Sequence, residues 1–372
     1  MQALKNHQEY DFPLDWNSIQ DRIHAIDPIK YASTRNFEKG ALTYLGPYIS
    51  RGVISTKCIF EHIKSLDLEW RSIEKLVQEL AWRDYWQQVW VEKQSRIESD
   101  LNFEQKAVLH SGVPAAIVEA KTGIEAIDSA IQIFYKTGYL HNHIRMYIAA
   151  ICCNIGKYHW SAPAKWMYAN LLDGDLASNH LSWQWVAGTF SNRNYVANQE
   201  NINKYFNSAQ RSTFLDVPYE AFNKLEVPDV LIKRHHWKIE INYPESISLQ
   251  ALKEKKTLIY NYYNLDPLWH KGEDVQRVLL IEPDVFKRYP ISQKCMDFAV
   301  GLSKNIEDIK VFVGSYSTLQ EQLKNAEIVF KEHPLNDHYQ GIQEDREWMS
   351  SIEGYFSGFF KFWNKAKKEL IK

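Results

Sequence analysis

The chain of 372 residues is predicted to fold as an all-α N-terminal half followed by a small α/β domain with a parallel sheet. Three observations predict this. Helical periodicity runs from about Trp16 to Phe206; beyond about residue 256, short β-branched runs alternate with helical stretches. The composition, 45% hydrophobic and 24% charged, is that of an ordinary globular protein. At roughly 150 residues per domain, the length suits two domains. The expected division is a helical domain over 1–227, a linker over 228–255 and an α/β domain over 256–372.

In order along the chain, IEKLVQELAWRDYWQQVWVEK sets Leu76, Leu80, Trp82, Tyr85, Trp86 and Val89 near the 3.6-residue period of an amphipathic helix. Gly46-Pro47, Ser111 to Pro114, Lys136 to Gly138 and Ser161 to Pro163 read as loops that divide the half into several helices. From about Pro228 to Lys256 the periodicity fades. TLIYNYY, RVLLIEP, IKVFVGS and EIVFKEH then read as strands, separated by helical SQKCMDFAVGLSKN and TLQEQLKN. No G-x-G-x-x-G follows a strand, so the sheet is not a standard dinucleotide site.

Composition narrows the function classes. No run of about 18 apolar residues exists, so no membrane span is expected. MQALKNHQEYDFPLDW has no basic segment leading into an apolar core, so a cytoplasmic setting is expected. Cys58, Cys152, Cys153 and Cys295 lack C-x-x-C spacing and are read as reduced, mostly buried thiols with no metal to hold. A formal net charge of −2 argues against coating nucleic acid through bulk positive charge, but leaves room for a local groove. The 13 Trp and 21 Tyr exceed what filling a helical core requires.

Three stretches carry chemistry. ELAWRDYW puts Glu79 and Arg83 four residues apart, with Trp82 and Trp86 on a neighbouring stripe; alone, this reads as an ion pair beside a core stripe. TGYLHNHIRMYIAA sets Asn142, Arg145 and Met146 on one helix face. A buried Arg145 needs a partner, which Asp173 could supply. LLDGDLASNHLSWQW places Asp173 and Asp175 two apart, followed by Asn179, Trp183 and Trp185.

In this order and spacing, ELAWRDYW, KTGIEAIDSA, HNHIRM and LLDGDLASNHLSWQW resemble the flavin-binding helical domain of the DNA photolyase and cryptochrome family, over roughly Tyr31 to Tyr205. The resemblance implies a photolyase-type domain that binds flavin adenine dinucleotide (FAD). Tyr31 and Thr43 would grip its phosphates, with Arg83 and Asn142 against the cofactor. Arg145, held by Asp173, would place a fixed cation at the ring edge, while Asp175 and Asn179 would bond the ring and ribityl chain. It also makes Trp183 and Trp160 the first members of an electron relay. Glu79, Trp82, Asn142, Met146 and Trp185 would meet a flipped pyrimidine dimer.

The chain also departs from the family. LTYLGPY (Leu42 to Tyr48) stands where a run like TSRLSPY is usual, so that either Arg51 compensates in the phosphate clamp or the affinity for FAD is lower. Ala107 replaces the outer relay tryptophan. Asn142 and Met146 stand where six-four enzymes carry histidines, which favours cyclobutane dimers. The family usually begins with an α/β domain able to hold an antenna pigment; here a segment with that order lies at about 256 to 372. The leading expectation is a monomeric, light-driven deoxyribodipyrimidine photolyase acting on UV-damaged DNA. The alternative is a cryptochrome-like blue-light sensor that keeps FAD without repair. A weaker third reading is a nucleic-acid-binding helical domain without photochemistry.

Overall fold

A computed structural model describes residues 10–372. The first nine residues, which begin the stretch read above for a secretion signal, lie outside them. From the N-terminus run α1 (Trp16–His24), α2 (Pro28–Thr34), α3 (Gly46–Ser50), α4 (Thr56–Ser65), α5 (Trp70–Lys93), β1 (Val113–Pro114), α6 (Ala115–Val118), α7 (Glu125–Thr137) and α8 (Asn142–Ala150). A π-helical turn at Ile151–Ile155 leads to α9 (Ser161–Asn170), α10 (Leu176–Ala187), α11 (Gln199–Tyr205), α12 (Asp229–Ile232) and β2 (Arg234–His235). The last part holds β3 (Thr257–Tyr260), β4 (Gln276–Ile281), α13 (Pro283–Arg288), α14 (Gln293–Ser303), β5 (Lys310–Val313), α15 (Tyr316–Gln322), β6 (Ile328–Lys331), β7 (Ile342–Glu344) and α16 (Phe359–Leu370).

Local chemistry explains the helix ends. The Asp15 and Asp27 side chains accept the Ser18 and Lys30 N–H groups (both 2.9 Å) and cap α1 and α2. α7 ends at Gly138 with φ 73°, where a Cβ would come within 2.6 Å of Leu172 Cγ. Gly46-Pro47, read as a loop, instead starts α3. Proline's fixed φ and missing N–H suit a first helical turn, where that N–H has no intrahelical partner. Ser161 to Pro163 likewise forms the first turn of α9.

The chain divides into two compact units whose segments interleave in sequence. The first contains Asp27–Leu42 and Lys93–Lys238; the second contains Phe12–Ile26, Thr43–Glu92 and Ile239–Lys372.

The first unit is helical around a core that includes Ile131, Phe134, Ile148, Trp160, Trp166 and Trp183. α10 packs on α8 and α9. Its apolar residues spread around the whole cylinder, as expected of a helix buried on several sides. Val113–Pro114 pairs antiparallel with Arg234–His235, so SGVP contributes a bridge as well as a bend.

The second unit contains a five-stranded sheet in the order β5-β4-β3-β6-β7, every pair parallel. β3 and β4 are buried along their whole length, which is why TLIY and RVLLI read as continuous rather than alternating apolar runs. Arg277, only 4% exposed within β4, donates to the His270 carbonyl at 2.7 Å. Most of α5 belongs to this unit. Arg51 belongs here too. It is fully buried, with its guanidinium 3.6 Å from the Tyr262 ring centre, a cation over an aromatic face.

Candidate functional site

In the first unit the site is built on α8 and the head of α10. His141 caps α8 by accepting the His143 N–H at 3.2 Å. One turn on, Arg145 donates Nη2–H to Asp173 Oδ2 at 2.8 Å and Nε–H to the Leu140 carbonyl at 2.9 Å. The two charged side chains are 23% and 15% exposed, so the anticipated pairing is present and mostly sheltered from water. Asn142 is exposed, and its Nδ2 lies 3.9 Å from Met146 Sδ. Tyr31 is half-buried on α2 of the same unit.

Asp175 and Asn179 each have a structural use besides the expected one. Asp175 is 1% exposed and caps α10 by accepting the Ser178 N–H at 2.7 Å. Asn179 donates to the Ala164 carbonyl at 2.9 Å and ties α10 to α9. Between them the Ser178 hydroxyl is buried with no hydrogen-bond partner. Sequence reasoning missed this residue. The available signal was a hydroxyl in an otherwise apolar turn, one place before Asn179.

Trp183 is 2% exposed and Trp160 fully buried. The Trp160 indole N–H donates to Asp100 Oδ1 at 2.7 Å, and His159 Nε2 lies 3.2 Å from the same oxygen. His180, also fully buried, stands edge-on to the Trp160 ring with centroids 5.6 Å apart. Asp100 and His180 were not singled out from sequence. Burial holds the His141 and His180 imidazoles down to about 4, with His143 and Arg145 adding to the effect at His141. At the relay's missing outer position, Ala107 has φ 58°.

The second unit carries Thr43, Glu79, Trp82 and Arg83. Thr43 Oγ1 accepts the Leu45 N–H at 3.4 Å. Glu79 lies 3.8 Å from Lys75 on α5 and is 34% exposed, while Arg83 donates to Ser50 Oγ at 3.0 Å. Trp82 is stacked on Phe359, with centroids 3.7 Å apart and planes 8° from parallel. Trp185, in the first unit, is 37% exposed beside Tyr195 at 5.9 Å.

The described residues contain no group of three or more His, Cys, Asp or Glu placed to hold a metal ion, and the four cysteines are free thiols. No described helix is long and apolar enough to cross a membrane.

A family profile for the FAD binding domain of DNA photolyase matches residues 76–257. A deoxyribodipyrimidine photo-lyase from Alkalihalophilus pseudofirmus is 26% identical over 186 residues, covering 46% of this chain and 39% of its own. A cryptochrome DASH from Danio rerio is 27% identical over 199 residues, covering 50% and 36%. Among solved structures, a Synechocystis cryptochrome aligns with a TM-score of 0.45 at 21% identity, over 51% of this chain and 42% of that one. The chain thus matches about two fifths of each of these proteins' own length.

Proposed function

The chain belongs to the DNA photolyase and cryptochrome family and carries its FAD-binding domain; from that premise we propose that it is a light-driven lyase that splits cyclobutane pyrimidine dimers in UV-damaged DNA. The observation that carries the reading is the sheltered Arg145–Asp173 pair beside the head of α10. The residues fit a flavin. Arg145 offers a fixed cation, Asp175 a carboxylate, Asn179 an amide, and Ser178 a buried hydroxyl with no protein partner.

When bound, the flavin supplies the light-absorbing, electron-donating chemistry. The chain's own residues do the rest. Within the first unit, Asp173 orients Arg145 so that the cation need not be recruited, and Asn142 and Tyr31 line the cofactor. In the second unit Trp82 stacks on a flipped base and Glu79 holds a proton at the pyrimidine edge; in the first, Trp185 and Met146 are the substrate-facing side chains. Trp183 and Trp160 would be the chain's electron donors to the flavin. We further assign residues 256–372 to the antenna-like domain, placed C-terminally. The carboxyl ends of β3 and β6 there are lined by Tyr263 stacked on His333 (4.5 Å) and by Asn261 bonded to Asn336, and pigment binding is a separate question for that edge.

A second reading, a sensor that keeps the cofactor without repair, is favoured by the Phe359 ring lying on Trp82. The deciding experiment takes the purified flavoprotein through blue light with a thiol reductant and then adds dimer-containing oligothymidine. Repair predicts light-dependent recovery of pyrimidine absorbance, and Trp183→Phe abolishes photoreduction while retaining bound flavin. A reduced, coloured protein that restores no absorbance overturns the lyase reading in favour of the sensor.

A further inference from the structure

The C-terminal residues of the second unit lie along α5. The Asp84 carboxylate accepts the Met349 N–H at 3.0 Å, the Gln88 side chain donates to the Ile352 carbonyl at 2.6 Å, and the Tyr85 hydroxyl donates to the Phe356 carbonyl at 3.0 Å. Glu74 pairs with Lys367. α16 turns Phe359, Phe362, Trp363, Ala366 and Leu370 inward and keeps Lys361, Asn364, Lys365 and Lys368 in water. Four nearly parallel rings result. Phe359 lies on Trp82, Trp363 is 6.2 Å from Phe359 at 9°, and Trp70 is 6.4 Å from Trp363 at 19°.

The contact of Phe359 with Trp82 differs from the other two. Centroids 3.7 Å apart in near-parallel planes make a face-to-face sandwich, in which the electron-rich faces of two rings oppose each other. Aromatic side chains ordinarily prefer offset or edge-on arrangements with centroids about 4.5 to 7 Å apart. A pyrimidine, its ring drained of electrons by two carbonyl groups, suits the indole face better than a phenyl ring does. Phe359 is also the first residue of α16, so it can leave while the helix stays attached at Lys367. Gly354 just upstream, with φ 90° and open space around its α-carbon, allows the backbone to turn there.

We propose that Phe359 is the gating residue of the substrate pocket: an internal stand-in for a base, which holds the stacking face of Trp82 and is exchanged for a pyrimidine when a flipped dimer enters. This rests on the reading of Trp82 as a base-stacking wall. The exchange imposes the same cost on every base. Only one that gains further contacts, such as those Glu79 offers one turn earlier on α5, displaces the ring, and undamaged DNA is thereby refused.

The test is dark binding of fluorescent oligothymidine, with and without a dimer, to the full-length flavoprotein and to Phe359→Leu, which keeps an apolar side chain but loses the flat ring. The expected result is dimer binding about 5- to 150-fold tighter, the range of one base–aromatic stack, with a gain no larger for undamaged strands. The gain should vanish in Trp82→Leu/Phe359→Leu. Hydrogen exchange of the wild-type protein provides a check that does not depend on the variant folding: dimer-containing strands should speed exchange at residues 355–362. Unchanged or weaker binding by a folded Phe359→Leu, where Trp82→Leu alone weakens dimer binding, overturns the gate and leaves the stacking wall standing. Slowed or unaltered exchange on dimer binding also overturns it. If wild type and Trp82→Leu both fail to distinguish dimer from undamaged strands, the repair reading falls, and the gate with it.

Discussion

Arg145 and Trp82 both stand on helices at positions the family resemblance assigns to the site, and each has been given a partner by its own unit. The partners differ in kind. Arg145 is held by a carboxylate that stays in place when a ligand arrives, because the bound group adds to the pair rather than replacing it. Trp82 is held by a stacked ring, which on our proposal occupies the place of a flipped base. Charge neutralisation therefore builds a preformed corner, whereas aromatic stacking builds an occupied one. The first is ready at no conformational cost, and the second selects by what it makes the newcomer displace.

The largest expected effect breaks the charged corner. Asp173→Ala leaves Arg145 without its carboxylate and should cost toward the lower end of the roughly 3 to 5 kcal/mol seen when buried pairs lose one member, since both groups keep some solvent. Urea unfolding and flavin retention report the loss. Arg145→Ala in the same chain should return most of the stability, though not the flavin. A double variant as unstable as the single one would show that Asp173 matters for reasons other than this charge.

Acidity sharpens the contrast between the units. His141 and His180 in the first unit have folded pKa values of about 4 against the ordinary 6.5, so the unfolded chain binds the extra protons. Stability is full above pH 6.5 and falls as pH drops toward 4, by roughly 3 kcal/mol per histidine at the limit. Asp84 in the second unit has the opposite sign. Burial raises it to about 6 despite the Met349 N–H and Thr56 hydroxyl it accepts, so its contribution is full below about pH 3.8 and lost as pH rises through 6. His141→Gln should flatten the acid limb of urea midpoints measured from pH 7.5 to 4.5, and Asp84→Asn should steepen it. Variants that track wild type at every pH would remove these groups from the account.

The smallest effect separates two jobs of one residue. Asp175→Asn keeps a good cap for α10, while Asp175→Ala should lose about 1 kcal/mol of stability. If both substitutions weaken flavin retention alike, the carboxylate charge faces the cofactor. If only Ala does, the residue is simply a cap.

These contrasts also explain what could be read from the chain. The Arg145–Asp173 pair was legible because an arginine among Ile, Met and Ala cannot be buried alone, and the nearby acidic stretch was short. RVLLI and EIVFK were legible because a parallel strand covered on both faces is apolar throughout. β7 escaped notice because it has three residues, two of them exposed, and no period to detect. The contacts of Arg51 with Tyr262 and Tyr263 were not legible, because those rings are far along the chain and nothing local announces them. Phe359 was missed for the same reason. An aromatic on an amphipathic helix says that it is buried, but not on what.

The ties between α5 and the C-terminal residues also have a consequence in time. The Tyr85 hydroxyl and the Phe356 carbonyl it reaches are 271 residues apart in the chain. At about 5 to 20 residues per second of synthesis, the aromatic face of α5 waits roughly 15 to 55 s on the ribosome before its cover exists. During that interval Trp70 and Trp82 are exposed apolar surface on a nascent chain. Non-local closure of this kind makes the second unit the slow step of folding, and the helical first unit is complete while the second still lacks its last strand.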